Sequence, residues 1–286
     1  IDQLVGAMTD LNAGIFQVGP DVSSGTAQRE FFKQLQRIAL SSGRPLMFGA
    51  IATRMENDPT SWQFQTDVID DTVAKGGRMY GQSSTRPISV IFSLKSNLPF
   101  DVLPEWQAIR ALPLAAQKMK FADPDVRAKL IASEKSMRPR GAEFQGGGDA
   151  TTNPMQPDYG NLYAMQDVNW NDPTVEEIAR RRNIGPVETM LDLMFENEDQ
   201  LFVQPIVNTE KEDVLGMLRH PRTLATFSDS GAHVCQEMGS SLQTHLLSYW
   251  VRNVGAFTLE EAVRMLTFDN ASAWELNDRG LIRAGY

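Results

Sequence analysis

The chain has 286 residues, 42% apolar and 22% charged, the composition of an ordinary globular protein with length enough for a large core. Acidic residues outnumber basic ones 36 to 27, a net charge of −9. Neither nucleic acid nor an anionic membrane is therefore expected as main partner, because phosphate surfaces need local positive charge. Cys235 stands alone, which rules out an internal disulfide and a thiolate metal cluster. No apolar run is long enough to span a bilayer and no signal-peptide pattern is seen, so a cytoplasmic location is expected, although the chain opens at Ile1 rather than Met.

Asp2–Leu11 places Leu4, Val5, Met8 and Leu11 at helical spacing, and Asn12-Ala13-Gly14 stops it. Ile15–Val18 then reads as a short buried strand closed by Gly19-Pro20-Asp21. The plan repeats with a helix over Ala27–Leu40 and a strand over Pro45–Ala52. A third helix, about Ser61 to Ala74, ends at Gly76-Gly77, and a third strand starts at Arg78–Gly81. Helices alternating with strands at this spacing predict βα units and a parallel sheet. No Gly-x-Gly-x-x-Gly and no Walker-type Gly-Lys-Ser/Thr follows a strand, which disfavours a nucleotide-binding version of the sheet.

From about Phe92 to Asp172 the alternation fails under seven prolines and Gly146-Gly147-Gly148, with helical pieces at Pro104–Leu112 and Asp125–Ser133. This stretch is expected to be a long excursion that covers or shapes a site, the alternative being a linker between domains. Thr174-Val-Glu-Glu177, Thr209-Glu-Lys-Glu212 and Thr258-Leu-Glu-Glu261 each carry Thr with Glu three residues on, the pattern of a capping box. A helix over Pro186–Glu196, a strand over Leu201–Val207, a helix over 210–219 and a strand over Thr223–Phe227 lead to Ser228-Asp229-Ser230-Gly231. One domain is expected, with βα units at 1–91, the excursion at 92–172 and final βα units at 173–286.

Asp229 sits where a strand runs out into a small-residue loop. Asp caps turns in such loops, and the same position in a barrel is where chemistry is done. His233 follows in that loop. His220 precedes Pro221 at a helix end, where an imidazole suits the negative pole of the dipole, and His245 lies inside the expected helix Ser241–Val251. No His-x-His pair, His-Glu-x-x-His helix or Gly-x-Ser-x-Gly elbow is present. Gln17, Gln82, Ser83, Ser84 and Arg86 are the other loop-facing polar residues. Arg86, held extended by Pro87, is placed either to bind a substrate carboxylate bidentately or to pair with solvent or an acid.

The ending, Thr258-Leu-Glu-Glu-Ala-Val-Arg-Met-Leu-Thr267, Asn270-Ala-Ser-Ala-Trp-Glu-Leu276 and Asp278-Arg-Gly-Leu-Ile-Arg-Ala-Gly-Tyr286, resembles the amidohydrolase superfamily in its D-aminoacylase-like branch. Ser228–His233 looks like the loop after that family's eighth barrel strand, and Arg219-His220-Pro221 also matches. The resemblance implies a (β/α)8 TIM-type barrel, here its C-terminal half with strands five to eight, and a divalent metal, usually zinc. It also implies hydrolysis of a C–N bond in an N-acylated amino acid or related small amide. Asp229 takes the role of metal contact and proton carrier by this resemblance, while Gln82, Ser83, Arg86 and His233 are the substrate-binding candidates by their positions in the sequence. The family's metal-binding histidines of strands five and six are replaced by Gly14-Ile-Phe-Gln-Val-Gly19 and Pro45-Leu-Met-Phe-Gly49. A catalytically silent relative that binds a small ligand or serves in assembly is the competing expectation, with a cyclic amidase of hydantoinase type as a third. An isolated half barrel exposes strand edges, so closure by a homodimer or by the excursion is expected.

Overall fold

A computed structural model describes residues 1–19, 26–52, 61–139, 155–166, 172–228 and 239–286. They fall into two compact units, one from the described parts of 1–88, 206–228 and 239–286, the other from those of 89–205.

In the first unit, α1 (Asp2–Asp10), β1 (Phe16–Val18), α2 (Thr26–Ser42), β2 (Leu46–Gly49), α3 (Ser61–Ala74) and β3 (Met79–Ser83) follow one another as the alternation predicts. The chain then leaves for the second unit through β4 (Ile88–Ser93). There α4 (Pro104–Arg110), α5 (Leu114–Ala122), α6 (Pro124–Ser133), β5 (Tyr163–Ala164), α7 (Val175–Arg182), α8 (Pro186–Glu196) and β6 (Leu201–Val207) succeed one another. After the return come α9 (Lys211–Arg219), β7 (Thr223–Ala225), α10 (Leu242–His245) with π-type turns over Leu246–Asn253, α11 (Leu259–Arg264) with further π-type turns over Met265–Asp269, and α12 (Asn270–Ala273).

The first sheet has the order β1-β2-β3-β7, and every pairing in it is parallel. Phe16, Leu46 and Met79 lie in register, as do Val18, Phe48 and Gly81. Because strand side chains alternate between faces, these residues share one face. Phe16, Val18, Leu46, Phe48 and Met79 pack there against Phe32, Leu35, Ile38 and Ile69 of α2 and α3. On the opposite face Met47 and Leu224 meet Ala273 and Trp274, with Ile15 and Tyr80 beside them. The buried guanidinium of Arg44 donates to the carbonyls of Asn12 and Gly14 and to Glu275, at 2.9–3.1 Å, which ties the end of α12 to the start of the sheet.

The second unit is more ordered than its prolines suggest. Its core centres on the fully buried Trp106, whose ring lies 4.6 Å from that of Phe100 and whose indole N–H donates to Ser133 Oγ at 3.2 Å. Arg110 donates to the carbonyls of Leu94 and Ser96, each at 2.6 Å, and to Asp101 at 2.9 Å, so one cation satisfies the loop between β4 and α4. Tyr159 donates to Glu134 at 2.5 Å, and burial together with that carboxylate drives its phenol pKa well up. The stretch expected as an irregular excursion is thus a packed body of its own, and it runs on to Pro205.

Two sequence expectations are corrected here. Leu201–Val207 is a strand, but it pairs antiparallel with β5 in a sheet ordered β4-β6-β5 and does not join the parallel sheet. Its pattern of buried Phe202, Val203 and Gln204 reads equally as a strand of either sheet, and tertiary pairing decides. The Thr209 capping box does not form. α9 starts at Lys211 with Glu210 at its N-cap and no side-chain cap, while Thr209 Oγ1 donates to Glu210. The boxes at Thr174 and Thr258 form in full.

Candidate active site

Strand ends of the parallel sheet gather the polar groups. Gln17 on β1 and Gln82 on β3 belong to the same face, and Gln17 Nε2 donates to Gln82 Oε1 at 2.8 Å. Gln82 Nε2 in turn donates to Thr226 Oγ1, just past β7, at 3.0 Å. β2 lies between them and ends in Gly49, where an added Cβ would sit 2.8 Å from Gln82 Oε1 and 2.5 Å from Phe227 Cδ2. The missing side chain is what lets the amide of Gln82 reach across. The result is a ladder of neutral donors and acceptors over the carboxyl ends of β1, β3 and β7, where α/β sheets of this kind carry their sites.

A second group lies after β3. Thr85 is fully buried, its hydroxyl donating to the Leu242 carbonyl at 2.8 Å and its carbonyl accepting from Trp250 Nε1 at 2.6 Å. Arg86 Nη1 donates to Ser241 Oγ at 2.7 Å. His245 Nδ1 lies 3.4 Å from Thr85 Oγ1, and its ring stacks on Tyr249 at 5.0 Å. Burial, reinforced by the charge of Arg86, lowers the His245 pKa to about 4, so this imidazole is neutral at neutral pH. Lys211 Nζ stands 5.7 Å from the Tyr249 ring.

Among the residues singled out from the sequence, the structure joins Gln17 to Gln82 and sets Arg86 against Ser241. Ser83 is fully buried on the helix side, its hydroxyl on the Ser84 carbonyl and the Met217 sulfur, so it does not share the face of Gln82. His220 closes α9 and lies 3.1 Å from Asp70. Asp229, His233 and Cys235 lie outside the described residues. Sequence reading missed Thr226, Thr85, Ser241 and Trp250. Only Thr226 carried a signal, as the polar residue just ahead of the Asp229 loop; the others meet Arg86 and His245 solely through tertiary packing.

The first unit is thus a parallel α/β sheet with α2 and α3 on one face, α12 on the other and polar groups at its carboxyl ends. Solved structures of a similar fold come from the D-aminoacylase group. D-aminoacylase, an enzyme with a binuclear metal centre that one metal activates and a second attenuates, matches 100% of this chain over 48% of its own length, at TM-score 0.53 and 13% identity. The D-aminoacylase structure that defined a novel subset of amidohydrolases matches equally. N-acyl-D-glutamate deacylase of Bordetella bronchiseptica, complexed with zinc and a phosphonate mimic of the tetrahedral intermediate, matches 99% of this chain and 47% of its own, at TM-score 0.52 and 12% identity. This chain has the fold of that D-aminoacylase group over about half the length of those structures. No family profile and no curated protein matches the sequence.

Zinc takes thiolate, imidazole and carboxylate ligands. Among the described residues no group of three or more His, Cys, Asp or Glu side chains could hold a metal ion. The strand-end ladder offers carboxamides and a hydroxyl, already engaged with one another. The described donor set does not fit the zinc of the matched deacylase.

Proposed function

We propose that the chain forms part of an amide-hydrolysing site of the amidohydrolase type, with Asp229 as its acid–base residue and an N-acylated amino acid or related small amide as substrate. The observation that carries this reading is the parallel placement of β7 beside β3, with Thr226 bonded to Gln82. In the sequence Asp229 comes four residues after Ala225, the last residue of β7. Amide hydrolysis needs a group that takes a proton from the attacking water and returns one to the leaving nitrogen, and a single carboxylate serves both steps. Gln82 and Thr226 supply neutral hydrogen bonds suited to the uncharged amide, and the Arg86 guanidinium suits the carboxylate of an amino-acid substrate.

The second reading, a silent relative that binds a small ligand or serves in assembly, is favoured by the interlocked glutamines at the strand ends. One experiment separates the two. The purified chain is assayed for free amine release from a panel of N-acyl-D-amino acids, alongside Asp229→Asn, with bound zinc measured in both. Hydrolysis that falls by about 100-fold or more in Asp229→Asn supports the enzymatic reading, the size expected for loss of an acid–base group. No turnover of any panel member by the unsubstituted chain, with or without added zinc, overturns it.

A further inference from the structure

We propose that the strand-end chain of hydrogen bonds is a polarised receptor for a small amide, in which the Thr226 hydroxyl donates to the carbonyl oxygen of the bound ligand. The chain runs one way. Gln17 Nε2 donates to Gln82 Oε1 at 2.8 Å, and Gln82 Nε2 donates to Thr226 Oγ1 at 3.0 Å. A hydroxyl has one proton and two acceptor lone pairs. Because Thr226 already accepts from Gln82, its own proton cannot turn back along the same line and points away from the glutamine. Among the described residues no group accepts that proton. Hydrogen bonds in a chain polarise one another, so the bond received from Gln82 makes this O–H a stronger donor. The residue is also held in place, since Thr226 N–H donates to the Leu224 carbonyl at 3.0 Å in a tight turn.

The surroundings select the ligand. Gln82 is 5% exposed, so its carboxamide is a relay held inside, and the half-buried Thr226 is where the chain ends. The Phe227 ring packs on Gly49, where an added Cβ would lie 2.5 Å from Cδ2. A directed donor thus stands beside an apolar ring, and an acyl group presents an oxygen and a hydrocarbon together. At the other end Gln17 has given an N–H to Gln82 and keeps its carbonyl oxygen as an acceptor. A ligand lying along the chain is read with its acceptor at β7 and its donor at β1, and an amide carries both. That the amide is an N-acyl amino acid rests on the amide-hydrolase reading above; the direction of the chain does not.

The test is a binding cycle on the 286-residue chain, Thr226→Val and Thr226→Ser, with folding checked by circular dichroism. Each is titrated with N-acetyl-D-leucine and with N-thioacetyl-D-leucine, whose sulfur is a poor acceptor. Ligand-observed NMR reads the affinities and would also show released acetate. The unsubstituted chain and Thr226→Ser are expected to prefer the oxygen ligand ~3–10-fold, the worth of one hydrogen bond. Thr226→Val, which keeps the shape and loses the hydroxyl, is expected to bind the two alike. Gln82→Glu gives a second route, because a carboxylate there accepts the Thr226 proton and abolishes the preference with Thr226 in place. A preference that survives in Thr226→Val, no preference in the unsubstituted chain, or no binding of either ligand at ~20 mM overturns the proposal. Acetate reports separately on hydrolysis: the expected pattern without acetate sinks the hydrolase and leaves the receptor, while acetate with a preference unmoved by Thr226→Val does the reverse.

Discussion

Gly49 sets how close the Gln82 amide can come to the end of β2. Gly49→Ala would force a methyl to within 2.5 Å of Phe227 and 2.8 Å of Gln82 Oε1. Overpacking of this kind costs about 1–3 kcal/mol, and urea denaturation should show that loss. The control is Gly185→Ala, where a new Cβ meets nothing within 4 Å; a loss as large there would remove the steric explanation. His245 gives a pH signature. Its folded pKa of about 4 lies below the ordinary 6.5, so above 6.5 the ring is neutral in both states and its contribution is fully present. As pH falls from 6.5 towards 4 the unfolded chain takes up a proton that the folded chain refuses, and stability is lost across that window. For a partly exposed ring the loss is discounted for solvent screening to about 1–2 kcal/mol. The difference in unfolding free energy between the unsubstituted chain and His245→Gln, measured by urea denaturation, should shrink by that amount between pH 7 and pH 4. A pH-independent difference would mean that the imidazole titrates normally.

At the scale of elements, the two capping boxes that form and the one that does not make a direct comparison. Thr258 accepts from the Glu261 N–H at 3.1 Å, and Glu261 accepts from the Thr258 N–H at 2.8 Å. Thr258→Ala is expected to cost about 1 kcal/mol, whereas Thr209→Ala, with no capping bond to lose, should fall within about 0.5 kcal/mol of zero. Equal effects in chemical denaturation would contradict the helix start at Lys211. The three helix-to-strand alternations at the front of the chain were legible because each strand is a short apolar run bounded by Gly or Pro and each helix has a 3.6-residue stripe. Ser61–Ala74 agrees at both ends. Leu201–Val207 was legible as a strand and not as a member of a particular sheet, since burial on both sides erases the alternation that would assign its face.

For the whole molecule, the described residues after β3 hold a core of their own. Their prolines and glycines hide this core because Phe100, Trp106, Phe121 and Phe202 carry no common period and Phe202 joins them from far along the chain. Trp106→Ala should cost about 3–5 kcal/mol, with loss of amide protection spread over the described parts of 89–205. Protection lost only within α4 would show that Trp106 is not central to that unit. The candidate site follows the same division. Asp229 stood out locally, as an acid where a strand ends, and the family-like ending pointed to amide chemistry. The bond from Gln82 to Thr226, the burial of Ser83 and the Arg86–Ser241 contact could not be read in advance. Sequence alone determined the parallel alternation, the helix caps at Thr174 and Thr258 and the chemical character of the strand ends, because these depend on neighbours a few residues away. Only the tertiary structure decided which strands share a sheet and which side chains meet at their ends, because those contacts join residues as far apart as Gln17, Gln82 and Thr226, whose pairing is set by packing rather than by local propensity.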